Sequence, residues 1–301
     1  MRYAITDIGS NTIRMVVYDY NEGIYRNIMS KSETLGLFGY IENGILRDTG
    51  TVRLINVLLN FQICSNAINV DEFHCFATES LRAVKNSVEV LQIVNNTTRI
   101  DINIISGDDE ALLDFEGFKN TLPLRSGLLI DMGGGSVELI KFDDKNPLNL
   151  TSIPFGSLSL YQDFVSDILP DKKETDNIRS FVRGQVSNVD WLSVDSGKMC
   201  IIGGTGRAIA SLHQEFFKRK EDLHGYTFAA NDINSILTIF ENKPIEVSKM
   251  ILKLNPNRIH TIIPGMIAFS EICESSGIET LTISNFGLRE GYLKTRVLKL
   301  T

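Results

Sequence analysis

Apolar residues along this chain fall into two alternating kinds of segment. Short apolar runs predict strands at Tyr3–Ile5, Ile13–Tyr18, Phe73–Ala77, Ile102–Ile105, Leu128–Ile130, Val137–Phe142, Met199–Ile202 and Leu281–Ile283. Between them, apolar positions at helical spacing predict helices over Thr51–Ala67, Leu81–Val94, Ala111–Phe118, Ile178–Val189, Ala208–Phe217, Ile233–Phe240 and Arg258–Ile272. In the last of these, Ile259, Ile262, Ile263, Met266 and Ile267 mark a buried face. Asn255-Pro256 reads as its start, because proline is tolerated in a first helical turn. Strands alternating with helices predict an α/β architecture with helices packed on sheets.

The pattern also repeats internally. A shift of 124 residues lays "ITDIGSNTIRMVVYD" onto "LIDMGGGSVELIKFD", bringing Asp7 onto Asp131, Gly9 onto Gly133, Thr12 onto Ser136 and Asp19 onto Asp143. Each copy reads strand, Asp-x-Gly turn, strand. One such copy alone reads as a plain hairpin. Two copies at matching places in two α/β halves predict a pair of anion-binding loops facing across a cleft, since glycine-lined turns expose backbone N–H groups to phosphate oxygens. Gly9, Asn11, Gly134 and Gly135 line these turns, and Ser10, Thr12 and Ser136 add hydroxyl donors. Asp7 and Asp131, at the ends of the first strands, place hard oxygen ligands where Mg²⁺ is held by one or two carboxylates, water and phosphate. Glu138 supplies a further carboxylate. Its counterpart in the first copy is Arg14, a donor fork suited to phosphate, so the halves are related but divided in role.

Composition narrows the setting. A chain of 301 residues with 43% hydrophobic content is expected to form two domains. Asp7 comes before any long apolar stretch and no run of about 20 uncharged apolar residues occurs, which predicts no signal peptide, no membrane span and a cytoplasmic protein. Thirty basic against 37 acidic residues, a net charge of −7, argue against broad contact with nucleic acid or anionic membrane. An anionic substrate must therefore be held by local donors. Cys64, Cys75, Cys200 and Cys273 are scattered in apolar surroundings and read as buried thiols.

Further segments add candidate chemistry. In "IISGDDEALLDFEGF" (Ile104–Phe118), Asp108, Asp109 and Glu110 open a helix, where acids favour the positive end of the dipole. A carboxylate aimed at a bound phosphate could also take a proton from an attacking water, and spacing alone does not choose among the three. "IIGGTGRAIASL" and "ISNFGLREGYL" each run from strand into helix, and their glycines suit either phosphate binding or close helix–strand packing. Ile209 occupies the third glycine position of a dinucleotide fingerprint, so that motif is not present.

Taken together, "DIGSNT", "ATESLRAVKN", "ISGDDEA", "IDMGGGSVE", "GGTGRAIA", "NRIHTIIPG" and "GLREGYL" resemble, in order and over nearly the whole chain, the exopolyphosphatase and guanosine pentaphosphate phosphatase (Ppx/GppA) family, in a short two-domain form. The resemblance implies an α/β fold of the actin-like ATPase (ribonuclease H-like) type, with two similar α/β domains flanking a cleft. These would span 1–124 and 125–301, breaking near Leu122–Ser126, with a terminal helix over about 287–301 packing back on the first domain. It implies a hydrolase that releases orthophosphate from the end of polyphosphate, or acts on guanosine penta- or tetraphosphate, as a homodimer. The implied metal is Mg²⁺, with Mn²⁺ in its place and K⁺ as an activator.

Carried over by position, the family's catalytic base matches Glu110, and the preceding family Glu is Asp109 here. Asp131 and Glu138 match the metal-side acids and Gly133–Ser136 the phosphate loop, while Arg14, Arg82 and Arg258 match phosphate-gripping arginines. Only Arg14 is nominated by the repeat. Ser159 stands where many members carry a basic residue and His260 where an acid is common. The chain ends ten residues after "LREG", which implies a less processive enzyme favouring shorter chains. Two rival readings remain: an ATP-dependent kinase of the same superfamily, against which "ISGDDEA" argues, and a non-catalytic alarmone or polyphosphate-binding module, towards which Asp109 and Ser159 point.

Overall fold

The computed structural model describes residues 1–300. The chain divides into two compact units, one formed by Met1–Glu110 together with the chain from Thr295, the other by Ala111–Lys294.

The first unit is built on a five-stranded sheet. Strand β1 (Arg2–Ile8) forms a hairpin with β2 (Thr12–Asn21), which pairs in turn with β3 (Ile24–Thr34). A short β4–β5 hairpin (Ile41–Glu42, Ile45–Leu46) leads into helix α1 (Asp48–Ala67) and then β6 (Glu72–Ala77), α2 (Glu79–Arg82), α3 (Ser87–Thr98) and β7 (Ile102–Ile104). Helix α4 (Gly107–Phe118) crosses the division between units. The strand order is β3-β2-β1-β6-β7, with β1, β6 and β7 parallel. Leu54, Leu58 and Phe61 of α1 pack on Ala4, Ile8, Met15 and Val17 of the sheet, each burial worth roughly 1.5–3 kcal/mol.

The second unit repeats the design. Strands β8 (Gly127–Met132), β9 (Val137–Asp143) and β10 (Asn146–Ile153) form two hairpins, followed by α5 (Ser157–Phe164), α6 (Lys172–Val186), β11 (Lys198–Ile202), α7 (Gly203–Phe216), β12 (Thr227–Ala229), α8 (Asn231–Asn242), α9 (Pro244–Leu254), α10 (Ile262–Ser276), β13 (Thr280–Ile283) and α11 (Leu288–Tyr292). The order β10-β9-β8-β11-β13 matches that of the first sheet, with β12 added at the edge. Alternation along β8 sends Leu128, Ile130 and Met132 to a face covered by α7 and α10, and Leu129 to the face where Phe115 and Phe118 of α4 pack. Helix α10 is buried on nearly all sides. Its Glu271, 1% exposed, is held by Arg179 at 2.9 Å and Arg183 at 2.8 Å.

All eight expected strands form. The expected helix Leu81–Val94 is broken instead into α2 and α3. Its middle is diverted by tertiary bonds: Lys85 N donates to Gly44 O at 2.8 Å, and the Asn86 amide exchanges hydrogen bonds with both backbone groups of Leu46. The expected helix start at Arg258 is also corrected. Pro256–Arg258 is a separate 3₁₀ turn, and α10 begins only at Ile262. Arg258 is therefore carried on a turn, where its side chain reaches Thr205. Among the described residues, no helix is long and apolar enough to cross a membrane.

Candidate active site

The repeat seen in sequence reappears in register. Asp7 faces Arg14 across β1–β2, and Asp131 faces Glu138 across β8–β9 at the matching position. In both first strands the buried run is relieved at the aspartate, which is only partly buried. The turns close alike, with Gly9 N bonded to Thr12 O at 3.2 Å and Gly133 N to Ser136 O at 2.9 Å. Each loop is pinned through its carbonyls. Leu35 N and Gly36 N donate to Asn11 O and Phe38 N to Ser10 O, while Ser157 N donates to Gly133 O, and Leu158 N and Ser159 N to Gly134 O. With their oxygens engaged by the protein, the loops present amide edges, the arrangement that suits an anion. The hydroxyl-bearing Ser10 and Ser136 are both buried.

In the first unit, Arg14 Nε donates to Ser30 Oγ at 3.1 Å. Arg82, the last residue of α2, sits between two carboxylates. Its Nη1 donates to Glu110 Oε2 at 3.1 Å and to Ile105 O at 2.8 Å, and its Nη2 to Glu79 Oε2 at 2.8 Å. Burial alone would lower the Arg82 pKa, but Glu110 and Glu79 outweigh it and the net shift is upward. The three acids opening α4 have different surroundings. Asp109 exchanges hydrogen bonds with Ser106 and pairs with Arg296 at 2.9 Å, a structural employment at the helix start. Asp108 is exposed. Glu110 is 6% exposed and is the one joined to Arg82.

In the second unit, Glu138 is 1% exposed and accepts a hydrogen bond from Ser152 Oγ at 2.8 Å, its register partner on β10. Asp131 lies beside the start of α7. A Cβ built on Gly203, whose φ is +78°, would fall 1.9 Å from Asp131 Oδ1, and one on Gly204 would fall 2.2 Å from Arg258 Nη2. These glycines make room for two site side chains. Those of "GLREGYL" instead serve packing, a Cβ at Gly291 falling 1.8 Å from Leu113 O of α4. Arg258 Nη1 donates to Thr205 Oγ1 at 3.4 Å. Burial draws the Arg258 pKa down, against the opposing pull of the Asp131 carboxylate. Ser159 caps α5, its Oγ accepting from Gly156 N at 2.9 Å, and His260 packs against Tyr161 with ring centroids 5.0 Å apart.

Glu79, beside Arg82 in the first unit, and Ser152 and Thr205, beside Glu138 and Arg258 in the second, are partners that the sequence reading does not nominate. Glu79 was visible as an acid three residues before Arg82 on one helix, the spacing of an ion pair. Ser152 lies on an edge strand whose sequence, "NPLNLTSI", carries little apolar signal.

These features meet in a family. The model of the Ppx/GppA phosphatase family matches residues 16–300, and the chain belongs to that family. Exopolyphosphatase 1 of Mycobacterium bovis is 24% identical, covering 97% of this chain and 87% of its own length. A putative exopolyphosphatase of Haemophilus influenzae is 26% identical over 96% of this chain and 90% of its own. The crystal structure of the Aquifex aeolicus Ppx/GppA family member superposes with a TM-score of 0.82 at 25% identity, covering 99% of this chain and 98% of that one. An exopolyphosphatase from Cytophaga hutchinsonii shares the fold, with a TM-score of 0.89 at 19% identity over 100% and 99% of the two chains. The fold is thus the two-sheet α/β fold of the Ppx/GppA family, and the class is a hydrolase acting on phosphoanhydride bonds.

Proposed function

We propose that this chain is a cytoplasmic exopolyphosphatase that hydrolyses the terminal phosphoryl group of polyphosphate and releases orthophosphate. The observation that carries the reading is the pairing of buried Glu110 with Arg82 at 3.1 Å, which sets a carboxylate base beside an anion grip. Glu110 takes a proton from water as its oxygen bonds to phosphorus, the P–O anhydride bond breaks, and the shortened chain leaves. In the first unit Arg82 and Arg14 bind phosphate oxygens and the Gly9–Thr12 loop offers amide donors to the charge that develops; in the second unit Arg258 and the Gly133–Ser136 loop offer the same donor types.

The donor set fits a hard divalent ion. Asp131 and Glu138 are opposed on neighbouring strands, and no three His, Cys, Asp or Glu side chains among the described residues gather as ligands. Two carboxylates completed by water and phosphate are the usual Mg²⁺ arrangement. Mg²⁺ is the proposed ion, with Asp131 and Glu138 to hold it; once bound it would neutralise charge on the transferring phosphate. Asp7, which stands opposite Arg14 in the first unit, is proposed as a further oxygen ligand.

The test is phosphate release from polyphosphate, guanosine pentaphosphate and ATP, with and without Mg²⁺. Release from polyphosphate, dependent on the metal, is expected. Preferential release from guanosine pentaphosphate would move the assignment to the nucleotide, and binding without any release would replace the enzyme by a binding module. Size-exclusion chromatography with light scattering reads the homodimer that accompanies the proposal.

A further inference from the structure

Arg82 carries one positive charge between two carboxylates that are both sheltered from water, with side-chain exposures of 18% for Glu79, 23% for Arg82 and 9% for Glu110. A salt bridge so placed is little screened, and its third member leaves the trio with a net negative charge. That is an unfavourable reception for a phosphate anion. A substrate oxygen that takes Arg82 competes with these two carboxylates for its single positive charge. Glu110 and Ile105 O share Nη1, whereas Glu79 has Nη2 to itself at 2.8 Å, from one helical turn earlier on α2.

We infer that Glu79 is a positioning residue that competes with substrate phosphate for Arg82, so that anion affinity is held down until a phosphate oxygen takes its place on the guanidinium. The inference rests on the phosphate-gripping role assigned to Arg82 above. An ion-paired carboxylate is a weaker base than a released one, so movement of Arg82 onto phosphate also frees Glu110 at the moment a substrate is bound. Glu79 sets the cost of that movement. The Arg82 pKa is raised by the same two carboxylates, in keeping with a guanidinium that stays fully charged throughout.

The experiment is calorimetric titration of the full chain with tripolyphosphate in the absence of divalent metal. Glu79→Gln removes the charge with little change in shape and is expected to tighten binding about five- to tenfold, the scale of one partly sheltered charge contact. Glu79→Ser replaces it should the glutamine variant fail to fold, and Glu79→Asp, which keeps the charge, is expected to stay near wild type. In an Arg82→Ala background the tightening is expected to vanish. Equal affinity in wild type and Glu79→Gln, tightening by Glu79→Asp, tightening that persists without Arg82, or no binding to any variant would each overturn the inference. Steady-state kinetics on polyphosphate with Mg²⁺ is read in parallel: KM is expected to fall with a smaller fall in kcat, a split that mere loss of stability would not produce. Binding without phosphate release removes the hydrolase reading and leaves the Glu79 result standing, whereas release without tightening removes Glu79 alone.

Discussion

Gly203 and Asp131 are packed so closely that a single added methyl group at the glycine would overlap the carboxylate, 1.9 Å from Oδ1. The glycine also has φ +78°, a conformation that strains an L side chain. Gly203→Ala is therefore expected to lose about 1–3 kcal/mol of stability, read as a lowered urea midpoint. Because relief of the overlap moves Asp131, phosphate release is expected to fall more than the stability loss alone explains. Wild-type activity in a folded Gly203→Ala protein would place Asp131 outside the chemistry.

Glu110 is the one acid of three at the start of α4 that turns inward. Glu110→Gln keeps the volume and the hydrogen-bond acceptor for Arg82 but removes the proposed base. Turnover is expected to drop by about 10²- to 10⁴-fold, the range for loss of a general base, while tripolyphosphate still binds. Asp109→Asn is expected to cost far less in turnover, since Asp109 is occupied with Ser106 and Arg296.

Arg258 is a partly buried arginine whose guanidinium feels the Asp131 carboxylate. On the proposed phosphate-binding role, Arg258→Ala would remove charged hydrogen bonds worth about 1.5–3 kcal/mol each, so KM on polyphosphate is expected to rise about ten- to a hundredfold. Arg258→Lys is expected to recover only part of this, because a point charge does not reproduce the planar fork. Unchanged KM in both variants would show that this arginine serves the fold rather than the phosphate.

The sequence and the structure agree most closely where apolar periodicity and the internal repeat act together. The matching of Asp7 with Asp131 and of Arg14 with Glu138, read from a shift in the sequence, is realised as equivalent register positions in two hairpins. Helices α5 and α9 were missed, and so were the edge strands. β3 reads "IYRNIMSKSET", with its side chains partly or fully exposed, and β10 contains Pro147 beside a bulge, both tolerated where one side of a strand is unpaired. Tertiary bonds account for the broken helix at Ala83–Asn86, where Lys85 and Asn86 answer the β4–β5 hairpin rather than their own helix. The environments of Asp108, Asp109 and Glu110 differ through long-range partners, Arg296 and Arg82, that no local spacing encodes.

The thiols supply a prediction about pH. Cys75, Cys200 and Cys273 are buried, and burial raises each pKa, that of Cys273 to about 12 from an ordinary value of 9.0. The folded protein thus keeps the Cys273 proton where the unfolded chain releases it. The stability contributed is fully present below about pH 9.0 and is lost as pH rises through about 12. Since the thiolate is the reactive form, these three residues are expected to resist iodoacetamide at pH 8 in the native protein. Cys64 differs, being only partly buried and receiving a hydrogen bond from Lys31 Nζ at 3.4 Å. Intact mass after native labelling is expected to show one adduct, mapped to Cys64, and four adducts after labelling in guanidinium chloride. Native labelling of Cys75, Cys200 or Cys273 would show that the cores around them open on the timescale of the reaction.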